Sequence, residues 1–232
     1  MSVKPLGKRE EAKNRNKDRI IAAARQLMQA PGGTLSMREL ADMAGVSVAT
    51  PYNLFGSKQE VIVAVLDDDV QALQQSVSDV GGDPIDGFFG VIDVSVGMLA
   101  SAPAFYRTGA RAVQTDMMDG DLQRHLREPR HTVLRQLVQR AVQQGFISHK
   151  ISVDIFAVQL GQTLMIWVQS WANDHVTLDQ LSDYLTYAFA LSLAGVVADE
   201  HKQRVLDKAW AVQDRLQDDW PVAGQLPISV AG

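Results

Sequence analysis

The stretch AGVSVATPYNLFGSK, Ala44 to Lys58, sets a proline in the middle of what otherwise reads as a short helix between two turns. If Ser47 is the N-cap, Pro51 is the fourth helical residue; if the cap lies one residue later, it is the third. The first amide hydrogens of a helix have no intrahelical acceptor, so a proline there sacrifices at most one bond. It also disfavours helical geometry at Thr50. A proline so placed suits a helix that is short and used at its N-terminal end. Periodicity turns Val46, Pro51 and Phe55 inward and leaves Ser47, Val48, Ala49, Thr50, Tyr52 and Asn53 on the outer surface.

The flanking sequence explains that end. Ser36 followed by Glu39 has capping-box spacing and opens a helix that ends near Met43, before Gly45. Ala41 and Ala44 allow two helices to cross closely, Gly45 supplies the turn, and Val46 plugs the space between them. This is helix-turn-helix spacing, in which the second helix enters the DNA major groove. The Tyr52 ring can pack while its hydroxyl reaches a phosphate. Lys58 lies in the first turn of the next helix, opened by a second capping box, Ser57 with Glu60. Its charge and the unpaired amides there make an anion site. Upstream, Ile20, Ile21, Ala24, Leu27 and Met28 share one face of a helix running from about Asn16 to Ala30, which Pro31 to Gly33 stop.

LSMRELADMAGVSVATPYNLFGSKQEVIVAVL, Leu35 to Leu66, resembles the TetR family of bacterial transcriptional regulators. The shared pattern is a hydroxyl residue capping the second helix, then Arg38-Glu39-Leu40-Ala41, AGVS, TPYNLF, and Ser57-Lys58 followed by an acidic residue. The resemblance implies that Ser36, Tyr52 and Lys58 hold phosphates. It implies that Arg38, Ser47, Val48, Ala49, Thr50 and Asn53 lie in or beside the major groove. Pro51 stands where the family usually has leucine, and Leu54 where a phosphate-touching histidine is frequent. Of the groove-facing set, Arg38 and Asn53 are the side chains able to make bidentate base contacts, while Val48 and Ala49 suit thymine methyls. The implied fold is all-α: an N-terminal three-helix DNA-binding head followed by a larger helical ligand-binding and dimerisation domain.

Charge is distributed accordingly. Residues 1–60 hold ten Lys and Arg against six Asp and Glu, a net of +4, while residues 61–232 carry a net of −9. A basic head on an acidic body suits a polyanion partner at one end. Residues 1–19 alone hold seven basic residues against three acids. Residues 1–14 read as a mobile arm, which either reaches the DNA or is a solvated tail. The absence of cysteine excludes disulfides, thiolate metal sites and a cysteine nucleophile, and fits a reducing compartment. No secretory signal is visible, and the longest apolar run, Ala188 to Ala198, is too short to span a bilayer. The expected setting is the cytoplasm, with no membrane partner.

Beyond the head, helices read at about 84–99, 104–113, 122–144, 153–173, 178–198 and 200–217, after a break at Gly81, Gly82 and Pro84. The expected division is a head over 1–60, a helical effector-binding and dimerisation domain over 61–220, and a flexible tail over 221–232. No phosphate-cradling glycine loop, GxSxG, HExxH or zinc-deaminase pattern is present. The five histidines lack metal spacing, and neither catalytic residue, metal nor cofactor is expected. An apolar set spread over several helices either fills the core or lines a cavity for a small effector, as the resemblance implies. It comprises Phe88, Phe89, Ile92, Met98, Phe105, Met117, Met118 and Met165, with Gln162 and Gln169 as polar members. Two helices are apolar over more than one stripe, which calls for burial on two sides. Phe156, Leu160, Leu164 and Trp167 form one row; Leu181, Tyr184, Ala188, Leu191, Ser192 and Gly195 form the other. The resemblance implies that these helices pair with their symmetry mates in a homodimer. The reading is a ligand-responsive regulator, a repressor released from a palindromic operator by a small apolar effector. A helical enzyme and a protein-binding adaptor with an incidental basic head are the competing classes.

Overall fold

A computed structural model describes residues 7–30, 35–66, 82–115 and 120–218, with side chains throughout these except at 8 and 112–131. The described residues form ten helices and no strand. They are α1 (Lys8–Gln29), α2 (Met37–Ala44), α3 (Ala49–Phe55), α4 (described over 58–66), α5 (Pro84–Ser101), α6 (Pro103–Thr115), α7 (Gly120–Gln143), α8 (Val153–Ala172), α9 (Leu178–Ala194) and α10 (Asp199–Asp218). The chain divides into two compact units. One comprises Met1–Asp69 with Ala104–His125; the other comprises Val70–Pro103 with Leu126–Gly232.

The first unit is larger than the head expected over 1–60. The reason is packing on α1 and α4. Arg25 donates from Nη2 to the Val65 carbonyl at 3.0 Å and places its guanidinium 5.1 Å from the centroid of the Phe105 ring. Gly109 lies so close to Leu66 that an added Cβ would stand 3.2 Å from Leu66 Cδ1. The start of α4 and the body of α6 therefore fold with the three-helix head. α1 and α2 pack together, and Ile20, Ala24 and Met28 of α1 and Leu40 and Ala41 of α2 are all buried.

α1 begins at Lys8, where the sequence suggested a mobile arm over residues 1–14 and a helix starting near Asn16. Between Lys8 and Gln29 there is neither glycine nor proline, and lysine, arginine, glutamate and alanine all favour helix. The apolar period starts only at Ile20 because only that half meets a core.

In the second unit α9 is the central element, packed against α5, α8 and α10. Asp83 caps α5 by accepting from the Ile85 and Asp86 amides at 2.9 and 3.1 Å. It also receives the Arg204 guanidinium of α10, which reaches Asp86 Oδ1 at 2.6 Å. Burial alone would push the Asp83 carboxyl up, but Arg204 and the two amides outweigh it and hold it below its ordinary 3.8. Thr177 and Gln180 form a reciprocal capping box at the start of α9. The loops after α7 and α9 meet in one antiparallel bridge, Ile147 with Val197, beside a stacked Phe146 and His201. Among the described residues only α5 has the length and hydropathy of a membrane span, and half of it is buried in the fold, as a core helix would be. No group of three or more potential metal-ligating side chains occurs among the described residues.

Candidate nucleic-acid interface

The surface that α3 presents is set by a turn. α2 buries Met37, Leu40, Ala41 and Ala44, then ends at Gly45 in the left-handed region at φ 62°. Glycine adopts that geometry without a Cβ penalty. The Gly45 and Val46 amides return to the Asp42 and Ala41 carbonyls at 3.1 and 3.0 Å, closing the turn. Arg19 of α1 reaches the Gly45 carbonyl with Nη2 at 3.3 Å, so α1 braces the corner from which α3 leaves.

α3 starts at Ala49, with Val48 rather than Ser47 in the cap position. Ser47 still takes part: its carbonyl accepts from the Thr50 amide at 2.8 Å, and its hydroxyl shares a hydrogen bond with that of Thr50, also 2.8 Å. Pro51 is thus the third helical residue, within the zone where amides have no intrahelical acceptor. It is buried. A ring that points into the head costs the helix no ladder bond and turns the remaining residues outward. Val48, Ala49, Tyr52 and Asn53 are exposed, Tyr52 at 49% of its surface, while Ser47 is exposed and Thr50 half-buried. Phe55 and Val46 are half-buried on the inner side.

The other expected DNA residues lie on the elements flanking α3 in the chain. Arg38 is exposed on α2. Lys58 is exposed in the first turn of α4, where the Glu60 amide donates to Ser57 Oγ at 3.1 Å. Ser36 precedes α2 but makes no side-chain cap bond, so the capping box read from its spacing with Glu39 does not form. Its carbonyl accepts from the Leu40 amide instead, and its hydroxyl is not spent on the helix. Sequence reading passed over Met43, which is 49% exposed on α2 and adds an apolar group to the outer surface of the head. Its place one step past the apolar stripe of Met37, Leu40, Ala41 and Ala44 was the available signal.

The residues proposed from sequence to line an effector cavity are spread over several elements. Phe88, Phe89, Ile92 and Met98 lie on α5, and Gln162, Met165 and Gln169 on α8, with α9 packed against both helices. Phe88 and Ile92 are fully buried, and Phe89 is covered by Lys208 of α10, whose Nζ stands 5.3 Å from the ring centroid. Met98, Gln162, Met165 and Gln169 are half-buried. Phe105 belongs to the unit that contains the head, packed edge-on against Tyr106 and beneath Arg25. Met117 and Met118 lie outside the described residues.

The dimer rows also separate. Phe156, Leu160, Leu164, Leu181 and Tyr184 are buried inside the protomer, and the half-buried Trp167 stacks flat on Tyr184 at 3.9 Å. Side chains already covered by their own chain have little surface left to give a partner. Leu191 and Gly195 are exposed, and Ala188 and Ser192 half-buried. The reading missed the outer row of α8, Ile155, Val158 and Ile166, exposed at 71, 43 and 45%.

Residues 20–65 match the family model for bacterial regulatory proteins of the tetR family. The fold is similar to that of several solved structures. The complex of RolR with resorcinol is 16% identical with a TM-score of 0.65, covering 93% of this chain and 98% of that one. Thermus thermophilus FadR, a TetR-family repressor in complex with lauroyl-CoA, is 18% identical with a TM-score of 0.66, covering 78% and 95%. CprB from Streptomyces coelicolor, in complex with its operator, is 17% identical with a TM-score of 0.52, covering 88% and 98%. No curated protein sequence matches the chain significantly.

Proposed function

We propose that this chain, which carries the TetR-family DNA-binding head over residues 20–65, is a ligand-responsive transcriptional repressor that binds a palindromic operator as a homodimer. The observation that carries the reading is the burial of Pro51, which leaves Val48, Ala49, Tyr52 and Asn53 on the outer face of α3, with Arg38 exposed on α2. In this assignment Ser36, Tyr52 and Lys58 hold phosphates, and Arg38, Ser47, Val48, Ala49, Thr50 and Asn53 lie in or beside the major groove. The complex of CprB with its operator supports DNA as the partner.

The effector assigned here is a small, largely apolar molecule bound in the helical unit that includes α5, α8 and α9. Resorcinol on RolR supports a small aromatic ligand, and the lauroyl chain of the acyl-CoA on FadR an apolar binding region. To act as a switch it must bind the DNA-competent and DNA-incompetent conformations with different affinity. The direct test is a gel shift with DNA from around the chain's own gene. Retarded complexes that dissolve on adding an aromatic or acyl effector support the reading. A protein that retards no duplex at low salt overturns it.

A further inference from the structure

The helical course of α1 gives its basic residues a fixed geometry. Arg9, Lys13 and Lys17 recur every four residues, so they share one side of the helix within an arc of about 80°. The rise of α1 spreads them over about 12 Å. Arg9 and Lys13 are exposed, and Lys17 half-buried. Glu11 and Asp18, seven apart, occupy a different side; Glu10 borders the stripe and leaves it with an excess of positive charge. The lower end of the stripe is anchored: Lys17 Nζ stands 5.9 Å from the centroid of Phe55, the last residue of α3. Phe55 is three residues before Lys58. The stripe thus starts at the same end of α3 as the anion site of α4 and climbs away from it along α1. The opposite brace, Arg19 on the Gly45 carbonyl, holds α1 to the turn at the other end of α3.

We infer that the N-terminal half of α1 is a second DNA-contacting element, a rigid helical spur whose Arg9, Lys13 and Lys17 side chains lie along the phosphate backbone next to the groove that α3 reads. The occupant is the backbone of duplex DNA because the stripe offers an array of cations with no apolar ridge, and its lower end lies at the C-terminal end of the recognition helix α3. Such contacts carry affinity and no base preference. The inference rests on the DNA-binding reading of the head.

The test uses the full-length protein and a mixed-sequence duplex of about 40 base pairs, with affinity measured by fluorescence anisotropy over a range of salt. Alanine is a strong helix former, so Arg9→Ala/Lys13→Ala keeps the helix and removes the charge. The expected result is a salt slope shallower by about 1.8 units for each bound protomer, about 3.6 for the proposed dimer, since each lost phosphate contact takes about 0.9. The exchange Arg9→Lys/Lys13→Arg should restore the wild-type slope. Ala12→Pro keeps every charge but breaks the helix ahead of the core half of α1, and should also make the slope shallower. A double alanine variant with the wild-type slope, beside a Lys58→Ala control whose slope falls, overturns the spur and leaves the recognition reading standing. An Ala12→Pro variant with the wild-type slope overturns the rigid helical delivery. A wild-type protein that binds no duplex overturns both.

Discussion

Pro51 shows how one side chain decides what a helix is for. At the third helical position it removes an amide that had no partner, and its buried ring fixes which residues face out. Asn53 and Lys58 then differ in kind. Asn53 sits on the exposed face of α3 and is suited to a bidentate base contact, so Asn53→Ala should cost about 1–3 kcal/mol on one operator and relax preference at a single base position. Lys58, in the first turn of α4, offers a point charge. Lys58→Ala should weaken binding to all duplexes alike and lower the salt slope by about one unit for each bound protomer. Titrating both variants against a panel of single-base operator mutants separates the two. A uniform loss from Asn53→Ala, or a base-selective one from Lys58→Ala, would reverse the assignment.

Among the helices, caps and ends were the hardest features to read. Thr177 and Gln180 have the same spacing as Ser36 and Glu39, yet only the former pair closes a capping box. Spacing permits the bond; whether it forms depends on how the chain enters the helix, which tertiary packing sets. Thr177→Ala should therefore destabilise by about 1 kcal/mol, and Ser36→Ala should leave stability almost unchanged. Thermal unfolding of both variants checks this. The start of α1 was illegible because a solvated helix has no apolar period to betray it. The contact of Arg204 with Asp83 and Asp86 joins residues over 100 positions apart, and no local pattern announces it. Its effect on stability has a definite sign. The folded Asp83 pKa lies below its ordinary value, so the ionised carboxylate stabilises the fold at neutral pH. That contribution is present above the unfolded value and is lost as pH falls through the folded one. Asp83→Asn should be less stable than wild type at pH 7, with the gap closing below about pH 4. A gap that stays constant from pH 7 to pH 3 would show that the carboxylate charge contributes nothing.

On the scale of the whole molecule, the all-helical class and the position of the head were readable because the helix-turn-helix is local in sequence. The division into units was not, since Arg25 to Phe105 and Leu66 to Gly109 are long-range contacts. The same limit applies to the proposed dimer. Periodicity marked α8 and α9 as buried on two sides, but it could not say which row meets the protomer's own core. The structure puts Leu160 and Leu181 in that core and leaves Ile155, Val158, Ile166 and Leu191 outside. A short recognition helix makes few base contacts, so two heads related by a two-fold axis would double the set and read a pseudo-palindrome. A permanent interface of this kind should bury more than about 2,000 Å² in total. The seam proposed for it is the exposed rows, where the small Ala188 and Gly195 would allow close approach beside Leu191. Arginine at Ile155 or Leu191 is solvated in a monomer and unpaired in a desolvated seam, where it costs several kcal/mol. Ile155→Arg and Leu191→Arg should keep native helicity, sediment as monomers and lose operator affinity with the head untouched. Leu160→Ala should instead cost about 2–5 kcal/mol of fold stability, because it opens a cavity inside each protomer. A wild-type protein that sediments as a monomer at micromolar concentration, or a Leu191→Arg variant that stays dimeric, would remove α9 from the interface.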